Sequence, residues 1–216
     1  MPTKTKALLV VIIFIVALAI GVVYLMYLGF TTDDDTASSL KDEATTYINE
    51  SFPHEGDVTE VINDSTGVYE AFQNAAIVDL DEKDFNMLVF ENEQGQFVDS
   101  YVAEVWEDEL ENVLRPEIES RFGSDDMIKE LWIAYPKNIG QKKEIDANNV
   151  PSVAGQDVKP HIRLTINRGE EKGDDEDLQA LIDLIQSELE VPGGRITLSY
   201  NDQAFLFKDS NKSENF

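Results

Sequence analysis

Apolar residues fall into three regimes along this chain. From 7 to 30 they are continuous: no charge, no Pro and no side-chain amide interrupts twenty-four positions, and sixteen of these are Leu, Ile, Val or Phe. As a helix rising about 1.5 Å per residue the stretch would measure about 36 Å, enough to cross a hydrocarbon layer of about 30 Å with some tilt. A transmembrane helix over 7–30 is therefore expected. Ala17 and Gly21 form one small-xxx-small pair within it, the spacing that lets two helices approach closely. Beyond residue 38 apolar positions become periodic, and between 137 and 160 the periodicity fades.

The periodic part predicts alternating helices and strands. Residues 31–38 read as an acidic spacer, and Ser39 with Asp42 three residues on reads as a capping box. Leu40, Ala44, Tyr47 and Ile48 then recur at helical spacing and predict a helix over 40–51, stopped before Pro53. Val58, Val61 and Ile62 suggest a short strand, while Tyr69, Phe72, Ala75 and Ala76 fit a short helix. A strand is predicted over 85–91 and a turn over 93–96. Val102, Val105, Trp106, Leu110, Val113 and Leu114 share one helical face, which Ile118 and Phe122 continue past Pro116; that proline is expected to kink or restart the helix, and Gly123 to stop it. Residues 131–135 read as a buried strand.

After the connection 137–160, Ile162, Leu164 and Ile166 alternate with polar residues as a half-buried strand. Leu178, Leu181, Ile182, Ile185 and Leu189 predict a helix, and acids at its start favour the positive end of its dipole. Gly193 and Gly194 turn the chain into a strand over 195–200. Asn201 and Asp202 are expected to turn it into a hairpin partner at 204–207, leaving 208–216 as a polar tail.

The resulting organisation is a cytoplasmic N-terminus (1–6), a transmembrane helix (7–30), the spacer (31–38), an α+β unit (39–136), a connection (137–160), a second α+β unit (161–207) and the tail (208–216). Strand, turn, helix, Gly and strand occur in the same order in 85–135 and 162–200. The expected fold class is α+β, with an antiparallel sheet and packed helices in a ferredoxin-like pair of split strand-helix-strand units. A helix on a curled sheet, as in cystatin-like domains, is the alternative. An N-terminal span followed by such a domain resembles the uncharacterised YfjL-like anchored proteins of Gram-positive bacteria. The resemblance covers most of the chain, rests on layout, and implies neither an activity nor any site residue.

Charge then sets the orientation. Lys4 and Lys6 precede the span and Asp33, Asp34 and Asp35 follow it, so residues beyond 30 are expected outside the membrane with the N-terminus cytoplasmic. A cleaved signal peptide would have a shorter apolar region, so a signal anchor is favoured. The chain carries 17 Lys and Arg against 43 Asp and Glu, a net charge of −26. Such a surface repels phosphate backbones, which disfavours nucleic acid, and favours cations, basic peptides or a salty medium. The absence of Cys excludes disulfides, thiol catalysis and a lipid anchor on cysteine, and suits a bacterial surface.

No motif selects a catalytic, cofactor or metal site. His54 and His161 are the two histidines and neither accompanies a Gly-x-Ser-x-Gly elbow. A calcium loop started at Asp79 fails at Lys83 and Phe90, and the clusters at 33–35 and 174–177 lack its spacing. Trp106 and Trp132 lie in apolar runs and are expected in the core. The function expected is a non-catalytic, single-pass, extracytoplasmic protein, a protein- or peptide-binding or envelope-assembly module with no cofactor. The alternatives are an envelope hydrolase using paired carboxylates and a weak divalent-cation-binding domain.

Overall fold

The computed structural model describes residues 34–64, 67, 69–201 and 211–216. The expected transmembrane helix at 7–30, the cytoplasmic residues before it and the expected strand at 204–207 lie outside the described residues. Among the described residues no helix is long and apolar enough to cross a membrane. The remainder is α+β, with eight strands and four α-helices.

Helix α1 (Asp34–Ser51) buries Leu40, Ala44 and Ile48 along one stripe. It is already helical at Asp34, so 34–38 belongs to the helix and not to a spacer. Ser39 sits inside it and its hydroxyl bonds Glu43, not a free backbone amide, so there is no capping box at that point. Strands β1 (Gly56–Asn63), β2 (Asn74–Leu80), β3 (Asn86–Glu91) and β4 (Phe97–Asp99) form an antiparallel meander in that order. In β1 the pairing with β2 shifts between Val58 and Glu60. This bulge explains why Val58 and Val61, three apart, can both pack toward α1 in a structure whose side-chain period is two.

The helix expected around Tyr69–Ala76 is not formed. Tyr69, Ala71 and Phe72 lie across the second face of this sheet, where the Phe72 and Phe90 rings are 4.9 Å apart, and Ala75 and Ala76 are strand residues of β2. A strand buried on both faces reads as a continuous apolar run, and in so short a run helix and strand spacing cannot be told apart.

Helix α2 (Tyr101–Phe122) runs unbroken through Pro116 and fully buries Trp106, Leu110, Leu114 and Ile118. At about 1.5–3 kcal/mol for each such side chain, this stripe is a principal source of stability. A 3₁₀ turn (Asp125–Met127) leads to β5 (Ile128–Ala134), followed by a single-turn helix α3 (Ile139–Lys142), β6 (His161–Ile166), α4 (Asp174–Ser187), β7 (Arg195–Tyr200) and β8 (Asn211–Asn215). These strands form a second sheet in the order β5-β6-β7-β8, in which only β6 and β7 are parallel. Helices α2 and α4 share one core with it, built around Leu164, Ile166, Ile196 and Leu198.

The ferredoxin-like arrangement is therefore not present. Helix α2 connects β3 and β4 of the first sheet to β5 of the second, so residues 85–135 do not form a split unit within one sheet. The second expected unit keeps its strand, helix and strand but is not split: β6 and β7 are adjacent parallel strands joined by α4. The strands divide at α2, inside the segment 39–136. The connection 137–160 is packed: Val153 and Val158 are buried in the second core, and Val150 touches both cores. Residues 211–215, read as tail, pair with β7 as a polar edge strand, and Thr197 and Ser213 hydroxyls meet at 2.8 Å. Such a strand is held by its backbone and carries no apolar alternation.

Candidate functional site

A cleft of about 820 Å³ opens between the two sheets. One wall comes from the first sheet: Tyr69, Glu70 and Ala71, with Asn92, Glu93 and Gln94 of the β3–β4 turn. The turn is held from within, because the Asn92 carboxamide oxygen accepts from the amides of Gln94 and Gln96 at 3.0 and 2.9 Å. Gly95 completes it at φ 75°, a left-handed conformation that a Cβ would disfavour. The opposite wall is the end of the second sheet and the chain leaving it: Trp132, Ala134, Tyr135, Pro136, Lys137, Asn138, Gln141, Lys142, Lys159 and His161. Helix α3 lies close against α2, where a Cβ at Gly140 would fall 2.8 Å from a Val102 methyl.

Strand alternation decides which of these side chains face the cleft. Ile133 and Tyr135 are buried in the core, so Trp132 and Ala134 lie on the opposite face of β5. Trp132 is half-buried there with the Arg163 guanidinium 4.8 Å from its ring, and Arg163 approaches Glu130 at 3.7 Å. The expectation of a core position holds for Trp106, whose indole N–H donates to the Pro151 carbonyl at 2.8 Å, and is corrected for Trp132.

Beneath the cleft lies a buried charge network. Lys137 is 8 % exposed, and its ammonium donates to Glu104 at 2.8 Å and to both oxygens of Glu107 at 2.9 Å. Glu107 also accepts the Tyr135 backbone amide, while Glu104 accepts the Ser100 hydroxyl, which itself accepts the Leu88 amide of β3. The chain of bonds thus runs from the first sheet through α2 to the end of β5. Burial, reinforced by the Glu104 charge and opposed by Lys137, pushes Glu107 up to about 8. For Lys137 burial acts downward, and the two glutamates more than offset it and raise it.

Two buried polar atoms near this end of the second sheet, the core-facing Tyr135 hydroxyl and the Asn138 carboxamide oxygen, have no hydrogen-bond partner among the described residues. Tyr135 is 3 % exposed, and burial together with Glu107 and Glu109 raises its phenol, so it stays a donor. A buried polar atom left unbonded costs about 1–3 kcal/mol.

Elsewhere, a shallower depression of about 420 Å³ is lined by residues of α1, β4 and the 145–148 loop. Beside it the Tyr47 hydroxyl donates to Asp99 at 2.6 Å. Burial raises Asp99, although the bonds from Tyr47 and the Tyr101 amide pull the other way. His54 lies 3.3 Å from the Ala147 carbonyl and packs against Phe52 and Tyr101, whereas His161 is exposed at the cleft, so the two histidines serve separate places. The acids at the start of α4 have specific partners: Asp174, 3 % exposed, receives two bonds from Arg168 at 2.8 and 2.9 Å, and Lys212 bridges Glu170 and Asp175. Asp79 lies within β2. Among the described residues no three His, Asp or Glu side chains are gathered to hold a metal ion.

Sequence reasoning did not single out Lys137, Glu104, Glu107 or Tyr135. The one signal for them is the presence of Glu104 and Glu107 three apart on the flank of an apolar helical stripe, which is common on helices facing solvent.

No protein-family model matches the sequence, and no curated protein does either. The crystal structure of a DUF5037 family protein from Ruminococcus gnavus ATCC 29149 is similar at a TM-score of 0.46, with 14 % identity over 75 % of this chain and 75 % of that one. At that distance the likeness carries no residue or activity across.

Proposed function

We propose that the protein is a non-catalytic, membrane-anchored binding module that receives a protein or peptide segment in the cleft between its two sheets. In this reading residues 7–30 form a single transmembrane anchor, the N-terminus is cytoplasmic and the folded part is extracytoplasmic, a layout that resembles that of YfjL-like proteins. The observation that carries it is the cleft itself: about 820 Å³, framed by two sheets and an internally bonded turn. Ligand sites are mostly preformed concavities of about 300–1,000 Å³ with a few placed polar groups.

One observation favours the hydrolase reading: Glu104 and Glu107 are paired carboxylates, one of them raised. Both are engaged by Lys137, however, and neither lines the cleft, so a substrate there meets the lysine side and not the acids.

Photo-crosslinking tests the binding reading. Benzoylphenylalanine at Gln94, on the cleft rim, should give a discrete adduct from intact cells, and the same group at Gln179, exposed on α4, should not. Adducts from Gln179 alone would move the binding face. Protease added to protoplasts should degrade the folded part, and full protection would reverse the orientation.

A further inference from the structure

Resting on the cleft as the binding site and on residues 7–30 as the anchor, we infer that the occupant is the extracytoplasmic juxtamembrane segment of another membrane-spanning protein, taken up beside the bilayer. The ground is where the fold puts the cleft relative to its own anchor. Strand β1 starts at Gly56, shortly after α1 ends at Ser51, and returns along the helix, so its far end, Asn63, lies on the side where α1 begins. Asn63 pairs with Asn74, and two strands further on Glu91 pairs with Phe97 at the same end of the sheet. Tyr69, whose amide bonds the Asp64 carboxylate, and the turn after Glu91 therefore project from the end where α1 starts, and these are the two parts of the first sheet that wall the cleft. Contacts of α1 fix the same direction: the Tyr47 hydroxyl reaches Asp99 and the Phe52 ring lies 5.4 Å from the Tyr101 ring, so α1 and β4 run the same way. From Tyr47 back to Asp34 is about 20 Å of helix and from Asp99 back to Gln94 about 17 Å of extended chain, which brings both to about the same level.

Four chain steps separate Phe30, where the expected span ends, from Asp34, and they reach at most about 14 Å. The tether keeps the start of α1, and the cleft rim level with it, at the bilayer surface. The turn between β2 and β3 at Asp81 and Glu82 stands about 20 Å further out, a strand length away. At the rim the cleft meets lipid headgroups and the stretches of protein that leave the bilayer, and charge separates the two. Glu104 and Glu107 neutralise Lys137, and Glu70 and Glu93 balance Lys142 and Lys159, so the cleft has no excess positive charge to hold a phosphate headgroup, while the net charge of −26 opposes an anionic surface. Its wall mixes the amide side chains of Asn92, Gln94 and Gln141 with the Trp132 ring and Pro136, which suits a peptide carrying backbone amides and apolar side chains. Confinement of both partners to one bilayer raises their effective concentration as a linker does, so an open cleft without a dominant charge suffices for capture.

Two measurements on the full-length chain test this. The sequence has no Cys, so Gln94→Cys and Glu82→Cys each create a unique labelling site on an exposed turn. In nanodiscs with nitroxide-labelled headgroups, a fluorophore at 94 should be quenched about twofold or more over one at 82, given their separation of about 20 Å. Equal or reversed quenching would overturn the inference. In intact cells, benzoylphenylalanine at Gln94 should give adducts whose crosslinked residue maps within about ten residues of the hydrophobic span of a second membrane protein, a reach of about 33 Å. Inserting a Gly/Ser segment of about 24 residues after Asp33, which adds a mean reach of about 27 Å, should reduce those adducts about fivefold or more and leave the melting temperature unchanged. Adducts that map to a soluble protein, or that survive the insertion undiminished, would overturn the inference and keep the cleft as a binding site. Adducts on lipid or on a second copy of this chain would overturn it in favour of those occupants, and no adduct at Gln94 would overturn both this inference and the binding-module reading.

Discussion

The two buried charge networks of this protein solve the same problem in opposite ways. Arg168 and Asp174 are six residues apart and pair through two parallel bonds beside the start of α4, and Asp174 also accepts the Glu171 amide. One buried cation meets one buried anion, with the exposed Glu171 carboxylate a further contact of the guanidinium at 3.6 Å. Burial pulls Asp174 upward, but the Arg168 bonds and the Glu171 amide outweigh it and hold the carboxyl down at about 2. Lys137, by contrast, lies 33 and 30 residues from Glu104 and Glu107 and serves two anions at once, and burial together with the Glu104 charge pushes Glu107 up. The first network closes a local turn. The second, drawing on β3, α2 and the end of β5, joins the two sheets directly beneath the cleft.

The comparison breaks most sharply at Lys137. Lys137→Met should leave two buried carboxylates uncompensated and cost about 3–5 kcal/mol, read as a fall in the urea midpoint. Replacing all three as Lys137→Met with Glu104→Gln and Glu107→Leu should recover much of that loss. A single variant as stable as wild type would show that the network contributes little. Arg168→Met should cost less, about 1.5–3 kcal/mol in the same urea series, because Asp174 retains the Glu171 amide and lies at a helix start.

The two networks should also differ in the sign of their pH dependence. Glu107 binds its proton more tightly folded than unfolded, so its contribution is fully present below about 4.5 and is lost as pH rises toward about 8. Asp174 binds its proton less tightly folded, so its contribution is present above 3.8 and lost as pH falls toward about 2. Melting curves between pH 5 and 8 should therefore flatten in Glu107→Gln and keep their slope in Asp174→Asn. The smallest effect belongs to an exposed pair: Arg115 touches Glu111 and Asp125 on the surface, and Arg115→Ala should change stability by less than about 1 kcal/mol, diminishing further at 1 M salt.

Distance along the chain also separates what could be read from what could not. The acidic start of α4 was legible because a helix N-terminus favours acids, although that argument did not find Arg168. Helix α2 was legible from one apolar stripe, Val102 to Phe122, although no restart occurs at Pro116, and β6 was legible from the alternation of Ile162, Leu164 and Ile166. The segment at Tyr69–Ala76 was not, because in a run of small and aromatic residues the same spacing suits a helix or a strand buried on both faces. Trp132 was misplaced for a related reason: its neighbours are apolar on both sides, and only pairing of β5 with β6 decides which face meets solvent.

Sequence alone determined the elements whose hydrophobic period is long and unmixed, the α+β class and the acidic surface, because these depend on neighbours within a few turns of chain. Tertiary structure decided the rest. The assignment of strands to two sheets, the use of α2 as the seam between them, and the recruitment of a polar stretch, Asn211–Asn215, as an edge strand all rest on backbone pairing between distant segments, which leaves no periodic mark. The cleft follows from that division. Its lysines, its Asn92 turn and the Lys137 network beneath it are contributed by segments tens of residues apart, and become a site only where the two sheets meet.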